Sequence, residues 1–116
     1  MEMGTFLRKH RERLRQSDPA FSLRQVAGRV GIEPSYLSKV ERGEAPPPGE
    51  ETLVRLARDL GIHPDLLLAM AGKVAGELQE VIRRRPVLFS QLLRELRDLP
   101  DDAVVRLVRE VRDGEW

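Results

Sequence analysis

The side chains best equipped for chemistry fall within one stretch, Ser22 to Gly43, which reads SLRQVAGRVGIEPSYLSKVERG. There Arg24, Gln25, Glu33, Ser35, Tyr36, Ser38, Lys39 and Arg42 supply guanidinium, amide, carboxylate, hydroxyl and ammonium groups. No nucleophile stands beside a base, and no glycine-rich loop could cradle a phosphate. The chain has no cysteine, and its two histidines, His10 and His63, are far apart, so no metal-ligand spacing exists. An enzyme is therefore not expected, nor a metal or other cofactor. What these groups can do is recognise: they donate and accept hydrogen bonds and present charge to a polar partner.

Two short elements must position them. Leu23 to Val30 predicts a helix, with Ser22 as its cap. Gly31 ends it, because glycine takes the left-handed conformation at little cost. A second helix is expected from Pro34 to Arg42, with proline suited to a first turn and Gly43 as the stop. Two short helices around a Gly-containing turn form a helix-turn-helix. Ala27 places a small side chain four residues before Gly31, where the helices cross. Val26, Val30, Ile32, Leu37 and Val40 supply the apolar faces that lock the pair, leaving Ser35, Tyr36, Ser38 and Lys39 largely outward on the second helix.

The string Ser22-Leu23, Gln25-Val26-Ala27, Gly31-Ile32, Tyr36-Leu37-Ser38, Val40-Glu41-Arg42-Gly43 resembles the helix-turn-helix of the lambda-repressor/Cro (XRE) regulators. Phe6-Leu7-Arg8 and Thr52 to Ala57 also look like that family's flanking helices, so the resemblance covers about residues 5–70 and not the last third. It implies an all-α, five-helix DNA-binding domain whose third helix reads the major groove through its N-terminal residues. It implies that Gln25 hydrogen-bonds a DNA phosphate. It also implies that Glu41 is a structural partner of a basic side chain on the first helix, Arg11 or Arg15. The sequence departs from the family at Glu33, where an uncharged cap is frequent, and at Pro34, which cannot donate to a base edge. Base reading is thereby narrowed to Ser35, Tyr36 and Lys39, with Glu33 able to accept from a cytosine amino group. Arg42 is expected to approach the sugar-phosphate backbone.

Charge is distributed unevenly. Residues 1–43 hold nine Lys and Arg against five Asp and Glu, a net of +4, while the whole chain carries +1. A basic first part around the helix-turn-helix is what a nucleic-acid contact face requires. Charged residues make up 34% and aromatics 4%, which favours helices over sheet. No apolar run approaches the length of a membrane span. The N-terminus has no apolar signal core. A cytoplasmic protein with no membrane partner is expected.

Along the rest of the chain, Thr5 to Gln16 predicts a first helix capped by Thr5, with Phe6, Leu7 and Leu14 inward. Ser17-Asp18-Pro19 reads as a loop. Glu44 to Gly49, EAPPPG, is a stiff connector. Glu50 to Leu60 and Leu66 to Ala71 predict the fourth and fifth helices, with His63 a cap or a surface group. The helix-turn-helix domain is expected over residues 1–72 and a helical extension over 73–116. In the extension, Ala75 to Arg84, Val87 to Leu99 and a segment beginning at Pro100 carry apolar faces too large for short helices in water. Leu88, Phe89, Leu92, Leu93, Leu96, Val104, Leu107, Val108 and Val111 are the expected dimerisation residues. Folding back on the first domain and holding a different protein are the alternatives. Arg83-Arg84-Arg85 reads as a solvated run that also complements a helix end. The expected function is that of a sequence-specific DNA-binding regulator, a repressor acting as a homodimer on an inverted repeat. The other reading is an antitoxin or anti-regulator whose C-terminal helices bind a protein, with DNA binding for autoregulation.

Overall fold

The computed structural model describes residues 2–116. Among the described residues are eight α-helices and no strand: α1 (Met3–Arg15), α2 (Leu23–Val30), α3 (Pro34–Glu41), α4 (Glu50–Leu60), α5 (Pro64–Met70), α6 (Gly76–Arg84), α7 (Pro86–Leu96) and α8 (Asp101–Asp113). A 3-10 turn, Pro19–Phe21, lies between α1 and α2 where a loop is expected from sequence. The chain divides into two compact units, the first ending at Glu77 and the second comprising Leu78–Trp116.

In the first unit, helical spacing places one apolar stripe of each helix against the others. Leu7 of α1, Val26, Ala27 and Val30 of α2, and Leu37 and Val40 of α3 meet Leu53, Leu56, Ala57 and Leu60 of α4 and Leu67 and Leu68 of α5 in a single core. Gly31 (φ 84°) and Gly61 (φ 70°) end α2 and α4 in the left-handed conformation, as their positions predict. His63 is the N-cap of α5: its Nδ1 accepts from the Asp65 N–H at 3.1 Å, and the helix starts two residues earlier than its apolar pattern implies.

The start of α1 differs from the sequence reading. Thr5 does not cap the helix but sits exposed inside it, and Glu2 holds the cap position without a side-chain hydrogen bond. The reason is tertiary. Met3 is buried, and Gly4 lies against α3 so closely that an added Cβ would press on the Val40 carbonyl and stand 2.7 Å from that of Glu41. Packing on α3 thus extends α1 past the residue that local propensity favours as a cap. Similarly, α7 stops at Leu96, short of the expected Leu99, where the residue before Pro100 is driven out of helical geometry.

One polar contact crosses this unit's interior. Arg11 donates to Glu41 through Nε (2.8 Å) and Nη2 (2.9 Å), and through Nη1 to the Phe21 carbonyl (3.3 Å). Both side chains are buried, at 4% and 5% exposure. Of the two partners the resemblance offers for Glu41, the structure selects Arg11. The contact raises the Arg11 pKa, chiefly through the hydrogen bond to Glu41.

The second unit is different in kind. No residue of α6, α7 or α8 is buried. Ile82, Phe89, Leu96, Ala103 and Val104 are half-buried, whereas Leu88, Leu92, Leu93, Leu107, Val108 and Val111 are exposed, Val111 at 65%.

The Arg11–Glu41 pair yields a stability test. Arg11→Met or Glu41→Leu alone should lower unfolding free energy by about 3–5 kcal/mol, because each leaves a buried charge without its partner. The double substitution should recover most of that loss, since two apolar side chains replace a pair that was costly to desolvate. Urea denaturation of the four proteins gives the coupling directly.

Candidate nucleic-acid interface

The helix-turn-helix is built from α2, the Gly31 turn and α3. Ser22 caps α2 by accepting from the Gln25 N–H at 3.2 Å. The N–H groups of Gly31 and Ile32 both return to the Ala27 carbonyl, at 2.9 and 3.0 Å, which closes the turn tightly. Buried Ala27 provides the small side chain expected at the crossing. Pro34 opens α3, and Gly43 (φ 72°) follows its C-cap, Arg42.

Two arginines tie α2 to its neighbours. Arg29 grips Asp59 of α4 with two hydrogen bonds, 2.7 and 3.0 Å, and its guanidinium lies 5.2 Å from the Phe21 ring centroid. The hydrogen bond to Asp59 is the main cause of the raised Arg29 pKa. Arg55 of α4 reaches the Val30 carbonyl at 3.5 Å, at the C-terminal end of α2. Sequence reasoning assigned neither residue, because partners 25 and 30 positions away leave no local pattern.

The site residues read from sequence fall on two adjoining pieces of surface. Arg24 and Gln25 are exposed in the first turn of α2. Ser35 and Lys39 are exposed on α3, and Glu33 is exposed at its N-cap without a capping hydrogen bond. Tyr36 and Ser38, expected largely outward, are half-buried. Tyr36 packs part of its ring against the core, so only the remainder can face a partner. Ser38 accepts a hydrogen bond from the Arg42 guanidinium, which also holds Glu44 Oε2 at 3.0 Å.

The surface continues onto α1, where the sequence reading names no contact residue. Arg8, Glu12, Ser38, Arg42 and the first residue of α2, Leu23, line one depression; Thr5, Lys9 and Glu44 extend it. The only hint in sequence is the basic content of Arg8 to Arg15, which does not say which residues reach α3. The described residues hold no grouping of three His, Asp or Glu able to bind a metal ion. Among them no helix is long and apolar enough to cross a membrane.

This arrangement, two short helices locked by a tight turn with the first turn of one beside the outer side of the other, is matched by a known family. The family model described as a helix-turn-helix domain matches residues 2–70, more than half of the chain. The chain belongs to the helix-turn-helix domain family. No curated protein matches the chain. No solved structure matches it either. The matched range takes in all of α1 to α5 and leaves α6 to α8 outside.

For the helix-turn-helix domain, the Ser22 cap is the most separable element. Ser22→Ala should cost about 1 kcal/mol of unfolding free energy and Ser22→Gly only a few tenths, as for other N-caps. Chemical denaturation with an unchanged m-value would show that the loss is local to α2.

Proposed function

We propose that this protein is a sequence-specific DNA-binding transcription regulator of the lambda-repressor/Cro (XRE) type, with residues 1–72 as the DNA-binding domain. The observation that carries the reading is the depression where Leu23, the first residue of α2, meets Ser38 and Arg42, with Arg24 and Gln25 exposed in the first turn of α2 and Ser35 and Lys39 exposed on α3. In this reading α3 enters the major groove. The α2 N-terminus and Gln25 face a phosphate, where N–H groups and helix dipole both favour an anion. Ser35, Lys39 and the accessible part of Tyr36 contact base edges; Tyr36 can meet a thymine methyl with its ring and a phosphate with its hydroxyl. Glu33 accepts from a cytosine amino group. Arg42 takes a phosphate.

The reading further makes the protein a homodimer on an inverted repeat. Two half-sites about one helical turn apart double a narrow reading surface. The interface assigned is that of Leu88, Phe89, Leu92, Leu93, Leu96, Val104, Leu107, Val108 and Val111. Its support is the exposure of Leu88, Leu92, Leu93, Leu107, Val108 and Val111 on one small unit, with Phe89, Leu96 and Val104 half-buried; large exposed apolar patches mark interaction sites. Charge supports a second copy as the occupant: Leu78–Trp116 holds eight Arg and eight Asp or Glu, so two copies meet without net repulsion. Repression requires only that the bound dimer obstruct a promoter.

Selection of bound sequences from random DNA tests the reading, and a palindromic consensus is the expected outcome. On that consensus, Tyr36→Ala should weaken binding by about 5- to 150-fold, as expected for losing 1–3 kcal/mol of base discrimination, with a smaller loss on random duplex. Equal loss on both would remove Tyr36 from the reading role. For the interface, Leu93→Glu should convert a dimer to a monomer in size-exclusion chromatography with light scattering. A parent protein that is already monomeric would favour the second reading, an antitoxin or anti-regulator whose exposed α7 and α8 faces hold another protein.

A further inference from the structure

Beside the reading helix, the protein satisfies its own cations. Arg42, the C-cap of α3, hydrogen-bonds Glu44 Oε2 through Nη2 at 3.0 Å and Ser38 Oγ through Nη1. Both members of the ion pair are exposed, at 45% and 57% of their side chains. One helix away, Arg8 holds Glu12 in the same manner at 3.1 Å, with both side chains half exposed. The four residues line one surface depression, which continues to Leu23 at the start of α2 and Ser38 on α3. Two arginines next to the DNA-reading elements are therefore each occupied by a carboxylate.

We propose that Glu44 is a built-in counterion: it occupies the Arg42 guanidinium in the free protein and must release it to a phosphate when DNA binds, so it lowers affinity for every duplex. The inference rests on the DNA-binding reading above and adds a regulatory residue to it. A carboxylate and a phosphate compete for the same planar fork of donors. An exposed Arg–Glu pair contributes little in water, so the exchange is open to the stronger phosphate contact. After exchange, Glu44 remains as an anion beside the phosphate chain, and the two repel across a short distance. The hydrogen bond from Arg42 holds the Glu44 carboxyl below the ordinary carboxylate range, with the charges of Arg42 and Lys39 adding to it, so Glu44 is ionised at neutral pH. Sequence choice falls correspondingly to Ser35, Tyr36 and Lys39, because the phosphate term is partly cancelled.

The test uses the full chain and two duplexes, the selected site and a random one, titrated at several salt concentrations. Glu44→Gln should tighten binding to both by a similar factor, about 3–10-fold at low salt, and steepen the log–log salt dependence by close to one phosphate contact, a slope change of about 0.9. Glu44→Ala should do the same, which separates the charge from the amide's own hydrogen bonds. Glu80→Gln, which removes one partner of the exposed Arg83–Glu80 pair (3.2 Å), should leave the slope unchanged. Unaltered or weaker binding by both Glu44 variants overturns the proposal, as does an equal gain from Glu80→Gln. A parent that binds neither duplex overturns the DNA-binding reading and this inference together; a parent that binds, with variants that match it, overturns this inference alone.

Discussion

Arg11 and Glu41 meet where α1 crosses α3, and the placement of the outer side of α3 depends on that contact. Both groups are buried, and each is satisfied: two parallel hydrogen bonds join them, and the third arm of Arg11 takes the Phe21 carbonyl. A buried ion pair contributes little net stability against an apolar replacement, yet removing one member is severe. Its value here is geometric. A forked guanidinium on a carboxylate adds geometric specificity to the apolar contacts of Leu37 and Val40. Gly4 brings α1 close enough for the contact, since any side chain there would collide with the α3 backbone.

The same logic recurs on α2, with the charges moved outward. Arg29 on Asp59 and Arg55 on the Val30 carbonyl tie α2 to α4 from its sides, while Ser22 holds its first turn. The helix-turn-helix is therefore pinned from both directions, α3 to α1 and α2 to α4. This frees the exposed residues from any structural duty. Arg24, Gln25, Ser35 and Lys39 can be chosen for their partner because the core, the glycine turn and four arginine or serine contacts already fix the backbone beneath them.

Much of this was legible in sequence, and the boundary of legibility is physical. The apolar spacing of Val26, Ala27 and Val30, and of Leu53, Leu56, Ala57 and Leu60, places α2 and α4 to the residue, because each stripe meets a glycine that takes positive φ. The Ser22 cap is equally local. Thr5 misled because its capping propensity is a local quantity, and Met3 and Gly4 have tertiary contacts that outweigh it. Tyr36 and Ser38 read as largely outward and are half-buried, because a helical wheel distinguishes faces and not degrees of burial. The pair Arg29–Asp59 spans 30 positions, so composition shows that arginines and acids exist but not which ones meet, whereas the partner of Glu41 is narrowed to Arg11 or Arg15 only through the family resemblance. The depression joining α1 to the end of α3 was invisible for the same reason: it is formed by residues whose only connection is the fold.

The contrast between the two units bears on why a second unit exists. In the first, α1 to α5 each bury apolar residues in a common core; in the second, Leu88, Leu93, Val108 and Val111 are each more than half exposed. Helices of nine to thirteen residues are marginal in water without a packed face. At roughly 25 cal/mol per Å², the apolar surface of those side chains represents several kcal/mol that is gained only when something covers it. That free energy is available to association. On the proposed reading it is used to bring two copies of α3 to adjacent turns of one duplex, and the requirement for it follows from α3 itself. Pro34 removes one base-reading position, Tyr36 is partly committed to the core, and Glu44 competes with phosphate for Arg42. A single copy then has few contacts with which to tell one sequence from another. Pairing two such surfaces doubles their discrimination in free energy, whereas a stronger single phosphate contact would tighten every site alike.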